Sequence, residues 1–298
     1  MADLIGAGFE TDEELLIEPL AALGWRVSWE VWNDPEVDWR RYDAVIIRTP
    51  WDYYQDSARF LAALETIDAA TRLENGIELV RWNLDKRYLR ELERQGVAIV
   101  PTVWRDGLKP GELAGLIAEV PAHEVVIKPV VGASASGAYR LDAHKAKQRA
   151  EEVETYYAGR PLLAQPLVRS VVEEGEYSLF FFDGALSHAI RKVPAKGDFR
   201  SQEEHGADLI LIEADDALTA TGDRIMRVLD KLPLDKLSHD KLSHDKLPLY
   251  ARVDLVRAND SDDFWLMELE LIEPALYFRI APGSAERFAI AADRRLKG

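Results

Sequence analysis

The apolar and polar positions of this chain predict alternating helices and strands. Thr11 with Glu14 has the spacing of a capping box, for a helix that closes near Gly24. Pro19 falls inside that helix and should bend it. "RVSWEVW" and "DAVIIR" read as strands, the second nearly continuous in apolar residues, as in a buried parallel sheet. "SARFLAALETI" reads as a helix, "ELVRW" as a strand, and "LDKRYLRELERQG" as a helix closed by Gly96. Residues 1–82 thus predict a small open α/β sheet that begins, unusually, with a loop and a helix.

The later segments have another texture. "EVVIKPV" is a strand followed by the loop "VGASASGAY". "YSLFFFDGALSHAIRKV" is two strands about an Asp-Gly turn, a strong hairpin signal. "YARVDLV" and "FWLMELELI" are two more strands. These predict antiparallel sheets with helices on one side. The fold class is α/β, passing to α+β in the later part. Residues 234–249 contain "SHDKL" twice in tandem. A period of five gives neither a helix nor a strand an apolar face, so an exposed insertion is predicted, with His239 and His244 as solvated residues.

Composition narrows the partners. The hydrophobic fraction is 47%, enough for a sizeable core. The net charge of −16, spread along the chain, argues against a nucleic-acid partner. No apolar run reaches the roughly 18 residues of a membrane span, and the first residues lack a secretory signal, so a cytoplasmic location is expected. With no cysteines, disulfides and thiolate metal sites are excluded.

The chemistry begins with Met267–Pro274, "MELELIEP". Ionised acids inside an apolar strand are costly unless a positive group meets them. Glu268 and Glu270 share one face of a strand, while Glu273 lies off it, where it can face substrate. If the strand carrying Asp254 pairs alongside, three carboxylates converge, a donor set that suits Mg²⁺. The plainer alternative is an edge strand with its acids in water. The loop after Lys128 holds small residues that let backbone amides approach an anion, although such loops are most often only loops. His188, within the hairpin, reads as structural.

The ordered set Lys86 in "NLDKRYLREL", Lys128 in "VVIKPVVGASASG", "AQPLV", "GDFRSQEEHGA", "RVDLV" and "MELELIEP" resembles the ATP-grasp superfamily. It looks closest to the glutathione-synthetase-like and cycloserine-ligase-like branch, over about residues 25–280. The resemblance implies an ATP-grasp fold: an N-terminal α/β domain (1–82), a small central lid (83–164) and a C-terminal antiparallel-sheet domain with helices (165–298). It implies ATP and Mg²⁺ as cofactors. Lys86 and Lys128 would meet phosphates, and the loop with Gly132, Ser134, Ser136 and Gly137 would close over them. The backbone of Gln165, Pro166, Leu167 and Val168 would read adenine, and Glu173 or Glu174 the ribose. Asp254, Glu268 and Glu270 fall on the magnesium positions.

The activity so implied is a carboxylate–amine ligase acting through an acylphosphate on a small amino-acid-like substrate, including ring closure within one molecule. Arg191 and Arg200 are the candidates for the γ-phosphate and the acylphosphate. Arg48, Trp51, Asp52 and Glu273 are the substrate-side candidates, the first three from their place at a strand end in an open sheet. A phosphoryl transferase and a non-catalytic ATP-binding sensor are the alternatives. Related chains generally begin with one further strand. Its absence here predicts an N-terminal sheet with a vacant position, and a tendency to form homodimers.

Overall fold

The computed structural model describes residues 11–132, 135–232, 247–259 and 261–298. Ser134, His239, His244 and the opening residues 1–10 lie outside the described residues, and so does the expectation of a vacant sheet position.

The first helical segment is a 3₁₀ turn, Glu13–Leu16, leading into α1 (Ile17–Ala22), and it closes at Gly24 with φ +93°. The Thr11–Glu14 box does not form. Asp12 precedes the turn, and its carboxylate accepts the Arg279 amide at 2.8 Å instead of capping the turn. "RVSWEVW" is not a strand: an alternating pattern needs a neighbouring ladder, and none meets it among the described residues. β1 (Ala44–Ile46) pairs in parallel with β2 (Arg72–Glu74) across α2 (Ser57–Ala70). The Asp56 carboxylate caps α2, and Phe60, Leu64 and Ile67 are buried beneath it.

"ELVRW" is helical, within α3 (Ile77–Asn83). Asn75 at φ +55° turns the chain, Gly76 starts the helix, and the strand expected there lies earlier, at β2. The helix has apolar residues on both sides because it sits between two cores: Ile77 and Val80 face one, Leu79 and Trp82 the other. α4 (Tyr88–Arg94) follows and ends at Gly96 with φ +85°.

Next come β3 (Val103–Arg105), α5 (Leu113–Glu119), β4 (Val125–Pro129), β5 (Tyr139–Leu141), α6 (Ala143–Tyr156) and β6 (Leu162–Pro166). The four strands form an antiparallel sheet in the order β3-β6-β4-β5. The remainder is α7 (Arg169–Glu173), β7 (Glu176–Phe182), β8 (Ala185–Val193), β9 (Asp208–Ile212), α8 (Asp216–Lys231), β10 (Tyr250–Arg257), β11 (Phe264–Glu270) and α9 (Ser284–Lys297). Its sheet is also antiparallel, ordered β11-β10-β7-β8-β9. The hairpin turn is Asp183-Gly184, with φ of +47° and +79°, the left-handed pair that a two-residue turn matched to strand twist requires. "YSLFFF" buries both faces. Tyr177, Leu179 and Phe181 pack on the α8 side, and Phe180 and Phe182 on the α9 side. Gly222 lets α8 approach closely, since a Cβ there would sit 2.9 Å from both Leu179 and Phe181.

Two asparagines tie the N-terminal part to the second sheet. Asn75 Nδ2 donates to the carbonyls of Tyr250 (2.9 Å) and Leu271 (2.7 Å), and its Oδ1 accepts the Leu249 amide at 2.7 Å. Asn83 donates to Leu269 O at 2.8 Å and accepts from Leu271 N at 2.9 Å. Asn75→Ala would orphan three buried backbone groups and strain a positive φ. We expect a loss of about 3–4 kcal/mol in urea denaturation. A loss under about 1 kcal/mol would show that the two parts do not depend on this residue.

Candidate active site

A cleft opens between the two sheets, with the N-terminal part closing one end. Lys128 reaches it from β4, and Lys86 from the turn before α4. Glu176 and Ser178 face it from β7, Lys192 from β8, Arg252 and Asp254 from β10, and Glu268 and Glu270 from β11. The ladder sets these neighbours. Asp254 stands opposite both Glu268 and Ser178, and Arg252 stands opposite Glu270.

The acids do not stand as a bare cluster. Each is interleaved with cations. Asp254 accepts from Arg252 Nη2 at 3.0 Å, Lys192 Nζ at 3.4 Å and the Ser178 hydroxyl at 2.5 Å. Glu268 pairs with Lys86 at 2.9 Å, Glu270 pairs with Arg252 at 2.5 Å, and Glu176 pairs with Lys192. Burial acts against ionising Asp254 and Glu268, but their cations outweigh it and hold both below the usual carboxylate range. For Glu270 burial prevails. Arg252 opposes it, Glu268 and Asp254 reinforce it, and the pKa rises to about 7. Burial lowers Lys128, whose ammonium rests 3.6 Å from the Met267 sulfur. Burial also acts against the Lys86 ammonium, but the field of Glu268 wins and raises it.

The three carboxylates supply hard oxygen donors suited to Mg²⁺, and the raised Glu270 is one that a nearby cation would ionise. No trio of acids or histidines among the described residues is gathered ready to hold an ion. Holding one requires Lys86 and Arg252 to give up their present partners.

The other expected residues divide. Gly132, Ser136, Gln165, Pro166, Leu167, Val168, Arg200, Trp51 and Glu273 all line the cleft. The small-residue loop is fixed at both ends: Gly132 O accepts from Lys86 Nζ at 2.8 Å, and Gly137 O from the Tyr157 hydroxyl at 2.6 Å. Gly137 is required there, since a Cβ would lie 2.1 Å from the Tyr156 oxygen. Pro166 has no amide, and the Leu167 amide is donated to Glu124 O at 2.8 Å, so neither amide is available to adenine. Arg200 lies on the wall with its guanidinium held by Asp198 at 2.6 Å.

Five expectations are corrected. Arg191 points to the opposite face of β8, across the ladder from Tyr177, and its neighbour Lys192 enters the cleft. Arg48 is structural. It is buried on Glu13 at 2.9 Å, on Pro274 O at 2.8 Å, and over the Tyr250 ring at 4.8 Å. Asp52 is occupied by the Trp32 indole at 3.1 Å. Glu173 is exposed at the end of α7. Glu174 is held by Arg257 at 2.9 Å. His188 is structural as expected, stacked on Phe180 at 4.2 Å.

Sequence reasoning missed Arg252, Lys192 and Tyr53. Arg252 lay in plain view two residues before Asp254, hence on its face. It also missed the wall that presents Glu273. Six successive carbonyls, Leu271 to Leu276, each accept from a distant side chain: Asn75 (2.7 Å), Tyr250 (2.9 Å), Trp51 (2.9 Å), Arg48 (2.8 Å), Arg252 (3.3 Å) and His188 (3.0 Å).

Glu273 is pushed up to about 8, by burial first and then by Glu270. A carboxyl raised on folding contributes stability that is full below its unfolded pKa and is lost as pH rises through the folded value. The ligand-free protein should therefore lose stability progressively between about pH 4.5 and about pH 8, with little further loss from this group above that. Glu273→Gln should flatten that fall and gain on the order of 1–3 kcal/mol at the alkaline end. Melting temperature against pH measures it, and an unchanged slope in the variant would refute the raised Glu273.

Comparison with known proteins follows the same lines. Residues 1–75 match the family described as D-cycloserine synthetase DcsG, N-terminal domain. Residues 112–231 match the prokaryotic glutathione synthetase, ATP-grasp domain. The chain is 35% identical over 315 residues to the cycloserine biosynthesis protein DcsG of Streptomyces lavendulae, covering 100% of this chain and 98% of that one. The crystal structure of D-cycloserine synthetase DcsG superposes with TM-score 0.79 and 33% identity, over 96% of this chain and 94% of that one. The ATP-grasp ligase PsnB, solved with minimal precursor, Mg and ADP, shares the fold at TM-score 0.61 and 17% identity, over 96% and 94% of the two chains. This chain belongs to the ATP-grasp superfamily, in its cycloserine-ligase-like branch.

Proposed function

We propose that this ligase, which uses ATP with Mg²⁺ to form a carbon–nitrogen bond, activates the carboxyl group of a small amino-acid-like substrate as an acylphosphate. An amine of the same molecule then captures the acyl group and closes a ring. The observation that carries this reading is the meeting of Lys86, Lys128 and Glu268 from separate elements in one cleft between two antiparallel sheets. The likeness to a chain named for D-cycloserine synthesis supports the ring-closing form.

The work of this chain's residues is positioning and charge neutralisation. Lys86 and Lys128 hold phosphate oxygens, with Gly132 and Ser136 beside them. Asp254, Glu268 and Glu270 would hold Mg²⁺, which supplies charge neutralisation at the phosphates. Lys192 and Arg200 face the γ-phosphate and the acyl group, Lys192 in the role first expected of Arg191. Gln165 to Val168 form the hinge beside the base. On this reading the chain divides near residues 82 and 164 into an N-terminal domain, a lid and a catalytic part.

ADP release screened over amino acids and hydroxyamine-type compounds tests the reading. ADP and phosphate should appear only where carboxylate and amine are both present. A phosphorylated product that accumulates without an amine would replace this reading with a phosphoryl transferase. Lys128→Ala should weaken MgATP binding by about 1–3 kcal/mol in calorimetry, and an unchanged affinity would remove it from the phosphate site. Glu268→Gln should abolish turnover. It should also lower the stability of the metal-free protein by about 1–3 kcal/mol, because Lys86 loses its partner.

A further inference from the structure

The buried carboxylates of the described residues are Asp12, Glu13, Glu74, Glu154, Glu176, Asp254 and Glu273. Six are matched. Asp12 faces Arg279, Glu13 faces Arg48, Glu74 faces Arg295, Glu176 faces Lys192, and Asp254 faces Arg252. Glu154 accepts two backbone amides, from Gly111 and Leu113, at 2.9 Å each. Glu273 is the exception. It is 9% exposed and lines the cleft, and its partner is the Tyr53 hydroxyl, a neutral group. Lys86, whose field reaches it, is committed to Glu268 and to Gly132 O.

The backbone that carries this carboxyl is held in place. Its own carbonyl is held by the Trp51 indole at 2.9 Å, and the carbonyls before and after it by Tyr250 and Arg48. Tyr53 belongs to a turn packed on Phe60, with ring centroids 5.0 Å apart. A buried acid aimed into a cleft on an immobilised wall, with no charge of its own to meet, is complementary to a cation delivered by the ligand. Metal is a weaker candidate at this spot, since the group bonded to the Glu273 carboxyl is a hydroxyl, Glu270 is engaged by Arg252, and Mg²⁺ prefers several oxygens.

We propose that Glu273, oriented by Tyr53 and Trp51, receives a protonated amine of the substrate, distinct from the unprotonated nitrogen that closes the ring, and makes a primary ammonium group a requirement for binding. This rests on the ligase reading above for the identity of the cleft. It goes beyond that reading by assigning a chemical group to a particular side chain.

The test uses the full chain saturated with MgADP and three small probes, D-alaninamide, L-alaninamide and propionamide, followed by ligand-observed NMR titration. The probes differ in the ammonium group and carry no carboxyl, so none can be activated or ligated. At least one alaninamide should bind the wild type at least tenfold more tightly than propionamide does. Glu273→Gln should erase that preference, and Glu273→Asp, which keeps the charge, should retain part of it. Melting temperature confirms that both variants fold. Equal binding of charged and neutral probes by the wild type would overturn the proposal, and so would a preference that survives in Glu273→Gln. Failure of the ligase reading has a separate signature, the absence of ADP release with every amino acid tried, and it leaves the probe result standing.

Discussion

A carboxylate buried in an aliphatic strand persists only where a cation stands beside it, and this requirement organises the second sheet. Asp254, Glu268 and Glu270 occupy facing positions on β10 and β11. Left alone they would raise one another's pKa and oppose closure of the sheet. Arg252 lies two residues before Asp254, on the same strand face, and reaches both Asp254 and Glu270. Lys192 joins Asp254 to Glu176, and Lys86 covers Glu268. The ligand-free cleft is thereby close to self-neutralised. Its lysines are the groups that phosphates would need, and its acids are those a divalent ion would need. On the ligase reading, MgATP exchanges partners within an existing charge pattern instead of imposing charge on an apolar site. The cost of burying the charges was met when the chain folded.

A second device keeps that pattern in place. Beyond β11 the chain leaves the ladder, and its carbonyls would go unpaired inside the protein. Six side chains supply the missing donors, from residues as far away as Arg48 and His188. Because one donor comes from α9's side of the sheet, others from β10, and others from the N-terminal part, the wall fixes the three against one another. Irregular backbone is usually loosely held, but here each peptide is individually clamped. The left-handed Tyr277, with φ +50°, ends the run and lies in the cleft, a strained conformation that persists because its surroundings determine it.

Legibility from the sequence follows the range of the interaction. The hairpin at Asp183-Gly184, the helix end at Gly96 and the shared face of Glu268 and Glu270 are local and were readable. Parity on a strand was readable only where no irregularity intervened. β7 and β8 shift register between Phe180 and Phe181, so which of Arg191 and Lys192 faced the cleft could not be counted out from the turn. "ELVRW" has apolar residues on every side, and a short apolar run does not distinguish a strand from a helix wedged between two cores. Arg48 looked like a substrate ligand because its partner, Glu13, sits 35 residues earlier and its second partner, Pro274, 226 residues later. The unmatched state of Glu273 was beyond sequence reading, since it depends on Lys86 being taken by Glu268 and Arg252 by Asp254 and Glu270.

That last property bears on selectivity. A site that merely fits a molecule's shape discriminates weakly against one lacking a polar group. A site holding a buried charge that only the right group can satisfy rejects the incomplete molecule strongly, because binding it would seal the charge away unpaired. Glu273 is placed for the second kind of discrimination. Its wall cannot relax to find another partner, and Lys86 cannot serve without abandoning Glu268. The raised pKa belongs to the same arrangement, since a ligand ammonium beside the carboxyl would lower it and favour the ionised form. The rigidity of residues 271–276 and the vacancy in the ion-pair pattern are therefore one feature. An acid on a flexible loop would neutralise itself against the nearest lysine and lose its ability to choose.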